Sequence, residues 1–246
     1  MGLWLMERII YDRMAELDSQ HWWYRARRDV LAAIITRRIA LPPFANILEI
    51  GCGTGHNLAM LARFGAVDAI EVDGAARAVA EARLGKDIGY SPLPALNGVP
   101  HEAYDLIALL DVLEHVEDDC AALASMAQRL KTGGRMLIAV PAHPWLWSAH
   151  DVANHHHRRY TRKSLDAVIK AAGLKVSYRT AINSLLFPLA VISRFSDKIR
   201  GKEGSDDALP PAPLNSLFES VFGLEAHLVG RVSLPIGVSL VAVVEA

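Results

Sequence analysis

Two acidic residues frame a glycine-rich turn in a pattern that suits a ligand carrying an amine and a ribose. Residues 47–55 read Ile-Leu-Glu-Ile-Gly-Cys-Gly-Thr-Gly. A strand feeding such a turn into a helix is where nucleotides bind, because glycine lets a ligand approach the backbone closely. The plain alternative is a tight strand-to-helix turn with no ligand. A dinucleotide-binding turn would carry a third glycine at position 56, which is His56. Glu49 places a carboxylate at the strand end, where it would repel a pyrophosphate and attract an ammonium. Both features count against a nicotinamide-dependent oxidoreductase. Asp73 ends the next apolar run, 22 residues after Gly51. At that offset a carboxylate accepts hydrogen bonds from the two ribose hydroxyls. A ligand with an adenosyl ribose, an amino group and no phosphate meets both acids; S-adenosylmethionine is that ligand.

Two further clusters carry chemistry. His21-Trp22-Trp23-Tyr24-Arg25-Ala26-Arg27-Arg28 opens a helix, with Trp23 and Arg27 on one face at i, i+4. An aromatic there offers a cation–π contact to a sulfonium, and an arginine can fork onto a cofactor carboxylate. The plain reading is an aromatic anchor for the helix. The second cluster is His143, His150, Asp151, His155, His156 and His157, followed by Arg158-Arg159-Tyr160-Thr161. Neighbouring histidines point in different directions, so no metal site is expected. The plain reading is a polar surface loop with no role; the alternative is acceptor binding, with His150 or His157 the candidate general base near neutral pH and Tyr160 the group that orients a hydroxyl. His115 reads as a structural residue of a strand-to-helix turn. Asp111 is either a solvated strand end or a neighbour of the cofactor.

The elements that must position these groups alternate along the chain. A helix is expected over 25–40, stopped by Pro42-Pro43, with Val30, Leu31, Ile34, Ile35 and Ile39 at helical spacing. Strands follow at 47–50, 67–72, 105–110, 135–140 and 174–178, with helices between them and a last strand at 238–244. This alternation predicts an α/β domain with a parallel sheet covered on both faces. Residues 1–44 are expected to form an N-terminal helical lid, and 45–246 the main domain. A helical cap is expected as an insertion at about 181–234. Its apolar stripes are Leu185, Leu186, Leu189 and Ile192, then Leu217, Phe218, Val221, Phe222 and Leu224. They read as packing, or as a greasy acceptor channel or peripheral membrane contact.

The 246 residues are 52% hydrophobic and 22% charged, with net charge −1. Global disorder is excluded, and no overall charge favours a nucleic-acid partner. Two cysteines and no CxxC pair give no disulfide or zinc framework, which points to a reducing cytoplasm. The apolar run Leu3 to Met6 is broken by Glu7 and Arg8, so no signal peptide is expected.

Several blocks together resemble the class I S-adenosylmethionine-dependent methyltransferases. They are Glu49 to Gly55, Val72-Asp73 with the following helix to Ala82-Arg83, Tyr104-Asp105-Leu106-Ile107, Asp111-Val112-Leu113-Glu114-His115-Val116 and Leu130-Lys131-Thr132-Gly133-Gly134-Arg135. Order and spacing match over roughly residues 45–180. The resemblance implies a doubly wound, Rossmann-like seven-stranded sheet with the last strand antiparallel. It implies that Gly51, Cys52, Gly53 and Gly55 form the cofactor loop, with Gly51 and Gly53 backing the methionine moiety. It further implies that Asp73 holds the ribose and that Asp111 lies beside the cofactor. The acid that in many relatives binds the adenine amino group has no clear counterpart in Ile88-Gly89-Tyr90-Ser91. The activity implied is methyl transfer to a small-molecule or lipid-like acceptor. A non-catalytic cofactor-binding module of the same fold is the alternative.

Overall fold

Alternating apolar runs and amphipathic stretches become strands and covering helices in the computed structural model, which describes residues 15–200 and 209–246. The Leu3–Met6 run and the polar middle of the cap insertion lie outside the described residues. The elements are α1 (Trp22–Arg38), β1 (Ala45–Ile50), α2 (Leu58–Leu61), β2 (Gly65–Ile70) and α3 (Gly74–Leu84). Then come β3 (Tyr104–Leu110), α4 (Asp119–Ala127), β4 (Leu130–Pro141), α5 (Ala149–Ala153), α6 (Arg162–Ala171) and β5 (Lys175–Ile182). The cap helices α7 (Phe187–Arg200), α8 (Ala212–Gly223) and α9 (Glu225–Leu228) precede β6 (Ser239–Glu245).

The strand order is β2-β1-β3-β4-β6-β5. β2, β1, β3 and β4 pair in parallel, and β6 runs antiparallel to both β4 and β5. The sheet therefore has six strands among the described residues, not the seven expected. The difference lies between α3 and β3, where an isolated parallel bridge, Ile70 to Gly89, marks the outer edge of β2. Pro92, Pro94 and Pro100 follow within a dozen residues. Proline donates no ladder hydrogen bond, so this segment does not extend into a strand.

Side chains of the central strands alternate between two buried layers. Leu106, Ala108 and Leu110 of β3 join Val30, Leu31, Ile34 and Ile35 of α1. Ile107 and Leu109 face the other way, with Leu123 and Met126 of α4 and Leu165 and Ile169 of α6. Each buried Leu or Ile contributes about 1.5–3 kcal/mol. Helix α1 is thus part of the core, and the cap holds its exposed end. Trp22 meets Phe218 and Phe222 edge-on at 5.4 and 6.2 Å. The Trp22 amide donates to Asn215 Oδ1 at 3.0 Å, and Arg25 pairs with Glu219 at 3.1 Å. Among the described residues no helix is long and apolar enough to cross a membrane.

The parallel strands deliver their carboxyl ends to one edge. Three non-glycine residues just past those ends take positive φ: Asp111 (58°) after β3, His143 (62°) after β4 and Asn183 (54°) after β5. Such backbone is costly for a side-chain-bearing residue and clusters where loops are held for function.

Candidate functional site

The glycine loop leaves β1 with Gly51, Gly53 and Gly55 at φ 66°, 56° and 80°. A Cβ at Gly51 would lie 2.7 Å from Val112 Cγ2, in the turn after β3. A Cβ at Gly55 would lie 2.7 Å from Leu58 Cδ1 and 3.1 Å from Ala80 Cα of α3. The glycines thus let two neighbouring segments close on the loop. Several loop amides are already spoken for. Gly51 and Cys52 donate to the Ile70 carbonyl at 2.9 and 3.2 Å. Gly53 donates to Glu71 Oε2 at 2.7 Å, while Glu71 Oε1 accepts from Val72 and Asp73 at 2.7 and 2.8 Å. Glu71 is buried, and burial raises its pKa. Sequence reasoning missed this anchor. Its signal was an acid inside the apolar run Ala69-Ile70-Glu71-Val72.

The two acids read from the sequence lie on either side of that anchor. Glu49 is 1% exposed; its Oε1 accepts from Asn57 Nδ2 at 2.9 Å, and its buried Oε2 has no hydrogen-bond partner. Burial pushes the Glu49 pKa up to about 8. Asp73 caps α3, its Oδ1 accepting from the Ala75 and Ala76 amides at 2.9 and 2.8 Å. The cap thus occupies Oδ1, and a second oxygen, Oδ2, remains on the same carboxylate. Cys52 is buried and its thiol is pushed far up by burial, so it packs and does not act as a nucleophile. His56 is driven down to about 3 by burial and by Arg27, Arg28 and Arg83.

Helix α1 crosses the same edge. Arg27 is 1% exposed, its guanidinium 2.7 Å from Asp111 Oδ2 and stacked 4.9 Å over the Trp23 ring. The guanidinium expected to fork onto a cofactor carboxylate is therefore shared between Asp111 and Trp23. Preceding α1, buried Asp18 takes Arg83 at 2.6 Å and Thr54 Oγ1 at 3.4 Å. That pair bolts the N-terminal segment over the glycine loop.

The histidine-rich loop after β4 folds back onto the turn after β3. The His157 amide donates to the Glu114 carbonyl at 2.8 Å, and the Tyr160 amide to the Pro141 carbonyl at 2.9 Å. Tyr160 is 2% exposed, and its hydroxyl donates to Asp119 Oδ2 at 2.8 Å. It is thus committed to a buried contact rather than free to orient a substrate. The His157 side chain is exposed. His150 is half-buried, its ring 6.2 Å from that of His156. His156 Nδ1 lies 3.0 Å from Asp151 Oδ1, and Arg159 Nε holds the same oxygen at 2.7 Å. The His156 ring meets His115 edge-on at 4.6 Å. Burial holds His115 down at about 3, so it is neutral. Ligand atoms of Glu114, His115 and His156 lie within 4.8 Å of one another. Two of these residues come from the β3 turn, which is why the spacing within the histidine run did not show it.

The cap supplies an apolar wall. Leu185, Leu189, Ile192 and Phe195 are 46–65% exposed, and Trp145 of the β4 loop stacks 6.4 Å from Phe195. The second expected stripe is divided. Phe222 is buried and Phe218 meets Trp22, whereas Leu217 and Leu224 are exposed.

A family profile described as "Methyltransferase domain" matches residues 22–178, from the start of α1 into β5. The chain belongs to the S-adenosylmethionine-dependent methyltransferase family. A ubiquinone biosynthesis O-methyltransferase of Caulobacter vibrioides is 36% identical over 121 residues, 46% of this chain and 48% of that protein. Its counterpart in Xylella fastidiosa strain M23 is 31% identical over 146 residues, 52% and 59% respectively. The chain spans about half the length of the curated relatives it matches. Among solved structures, the fold is shared with the complex between the Haloferax volcanii Trm112 methyltransferase activator and a methyltransferase. That match has a TM-score of 0.63 at 17% identity, covering 97% of this chain and 96% of the other. An S-adenosylmethionine-dependent methyltransferase of Archaeoglobus fulgidus gives 0.56 at 13% identity, covering 89% and 94%. For a methyltransferase domain, the match starting at Trp22 puts Trp23 and Arg27 inside the family unit. The helix that carries them is a core element of this chain.

Proposed function

We propose that this methyltransferase binds S-adenosylmethionine across the carboxyl ends of β1 and β2 and methylates a hydroxyl of an aromatic, lipid-like acceptor. The carrying observation is Glu49, a buried carboxylate with one oxygen unpartnered beneath the glycine loop, in a site that also presents Asp73. An ammonium satisfies the first acid and a ribose the second. The relatives named as ubiquinone O-methyltransferases support an oxygen acceptor. The exposed face formed by Trp145, Leu189, Ile192 and Phe195 supports an apolar one.

Bound S-adenosylmethionine supplies a methyl group on a positively charged sulfur. The acceptor oxygen's lone pair forms the O–CH3 bond as the S–CH3 bond breaks. The bonding pair stays on sulfur, leaving a thioether, and the hydroxyl proton passes to a neighbouring base or to water. This chain's residues act by placement: Glu49 and Asp73 fix the two ends of the cofactor. The segment around Asp18 and helix α1 exclude water from the loop. On the acceptor side, the half-buried His150 is the proposed base, reached through the loop that His156 and Asp151 brace. His157 lies further out, and Tyr160 anchors the loop through Asp119. The test is incubation with deuteromethyl-labelled S-adenosylmethionine and an ortho-diphenol with an apolar tail. The expected product is a labelled methyl ether with equimolar S-adenosylhomocysteine. Labelled product on nitrogen or carbon alone would overturn the oxygen assignment.

A further inference from the structure

Two loops that leave the sheet side by side hold buried polar atoms that nothing in the chain satisfies. Pro141 of β4 and Ile182 of β5 both pair with Ser239 of β6, so the two strands end at one level. His143 and Asn183 follow those ends, each at positive φ, 62° and 54°. His143 Nε2, Asn183 Oδ1 and Ser184 Oγ are all buried with no hydrogen-bond partner. Asn183 as a whole is 3% exposed. Buried polar atoms are normally paired, and strained backbone is normally kept only where a loop is held for function.

Gly237, which leads into β6, ties the two loops together. The His143 ring donates to the Gly237 backbone carbonyl. A Cβ at Gly237 would lie 2.9 Å from Ser184 Oγ and 2.3 Å from the Ile182 carbonyl oxygen, so only glycine lets the chain pass this close. The Ser184 and Leu185 amides donate to Glu225 Oε1 at 2.6 and 2.9 Å, which fixes the second loop from the cap side. With one ring nitrogen donating to Gly237, Nε2 of a neutral His143 is an acceptor. Burial above all lowers the His143 pKa; Arg159 and Arg162 act the same way, against the Gly237 bond. The ring also meets Trp145 at 5.4 Å and Phe187 at 5.2 Å. An unpaired acceptor thus sits beside two aromatic faces.

We infer that His143 is a specificity-determining residue for the methyl acceptor: its Nε2 accepts a hydrogen bond from a second hydroxyl, the one that is not methylated, while Trp145 and Phe187 flank the acceptor's ring. This edge selects a group that carries a proton. His143 Nε2, Asn183 Oδ1 and the Glu225 carboxylate behind the turn are all acceptors, so a hydroxyl suits it and a carboxylate is disfavoured. A site built to take a hydroxyl proton rejects the analogue without one, because its own acceptor is then left buried and unpaired. The inference deepens the proposed methylation of an apolar diphenol and rests on that reading for which oxygen reacts. His150 serves the reacting oxygen and His143 the other.

The test is binding without turnover. Full-length protein saturated with S-adenosylhomocysteine is titrated calorimetrically with three probes. They are an ortho-diphenol with an apolar tail, the monophenol with the same tail, and the analogue with a carboxylate in place of the second hydroxyl. Wild type should bind the diphenol about ten- to a hundred-fold more tightly than either of the others. His143→Asn keeps a residue that tolerates positive φ and an amide to donate to Gly237, but it has no atom at the Nε2 position. It should lose the preference, with monophenol affinity unchanged. His143→Gln returns an amide oxygen to that position and should restore much of the preference. Far-UV circular dichroism confirms that each variant is folded. General loosening of the loop would weaken all three probes alike, so loss in one variant and rescue in the other is the signature. Equal wild-type affinity for diphenol and monophenol, binding of neither, or an undiminished preference in folded His143→Asn overturns the inference. So does tighter binding of the carboxylate analogue. Turnover with labelled S-adenosylmethionine is scored separately. Labelled ether without any binding preference removes the subsite and leaves methyl transfer; the preference without any methylated product leaves the subsite and removes methyl transfer.

Discussion

Because Glu49 is buried and its pKa raised to about 8, cofactor binding should expel a proton. At pH 6.5 the carboxyl of the free protein is almost fully protonated, and so is an α-amine, whose pKa is about 7.7–8.0. Bringing that ammonium to about 4 Å from the carboxylate is worth about 4 kcal/mol at an effective dielectric of 20. That equals about 3 pKa units, enough to return Glu49 to about 5 and release close to one proton. Calorimetric titration with S-adenosylhomocysteine in phosphate and in Tris at pH 6.5 reads this directly. The observed enthalpy should depend on the buffer's ionisation enthalpy with a slope matching nearly one proton released. Glu49→Gln keeps the shape and the Asn57 contact but carries no titrating proton. It should bind about ten- to a hundred-fold more weakly, with no buffer dependence. A buffer-independent wild-type enthalpy, or wild-type affinity in Glu49→Gln, refutes the assignment of Glu49 to the amine.

The same group sets the pH dependence of the free protein. Between the unfolded value of about 4.5 and the folded value of about 8, the folded chain holds a proton that the unfolded chain has lost. Stability therefore falls as pH rises through that window, by about 1.4 kcal/mol per unit from this group, and Glu49→Gln should flatten the slope in urea titrations. Asp73→Ser and Asp73→Ala should both weaken S-adenosylhomocysteine binding about ten- to a hundred-fold. Only the alanine variant loses the α3 cap and about 1 kcal/mol of stability, so equal stability losses would argue against the cap. Gly51→Ala should destabilise by about 1–3 kcal/mol, through positive φ and the Val112 contact, with Val112→Ala restoring part of it. Tyr160→Phe should cost about 0.5–1.5 kcal/mol in denaturant titration while turnover stays at the wild-type rate.

What the sequence disclosed was local. The glycine loop and Glu49 announce themselves because a strand end and a turn place them within a few residues of one another, and Asp73 because it ends the next apolar run, 22 residues after Gly51. Helix α1 was visible from the 3.6-residue spacing of Val30, Leu31, Ile34 and Ile35. What stayed hidden depends on contacts between distant segments. Val112 explains Gly51 from 61 positions away, and Asp111 takes the guanidinium of Arg27 from across the edge. The hydroxyl of Tyr160 is spent on Asp119, 41 residues earlier. The grouping of His156 with Glu114 and His115 needs two loops to fold onto each other. The seventh strand, expected from the family resemblance, yields to the prolines after Ser91, whose missing amides outweigh the apolar character of the segment.

Methyl transfer itself is decided by one experiment: turnover of deuteromethyl S-adenosylmethionine with an apolar ortho-diphenol, comparing wild type with Asp73→Ser by mass spectrometry. Labelled methyl ether and S-adenosylhomocysteine should appear together with wild type, and Asp73→Ser should require about ten- to a hundred-fold more cofactor for the same rate. Failure of the wild-type protein to form any methylated product from this acceptor or from a cell metabolite extract, while it still binds S-adenosylhomocysteine, would contradict the enzyme assignment and leave a cofactor-binding module.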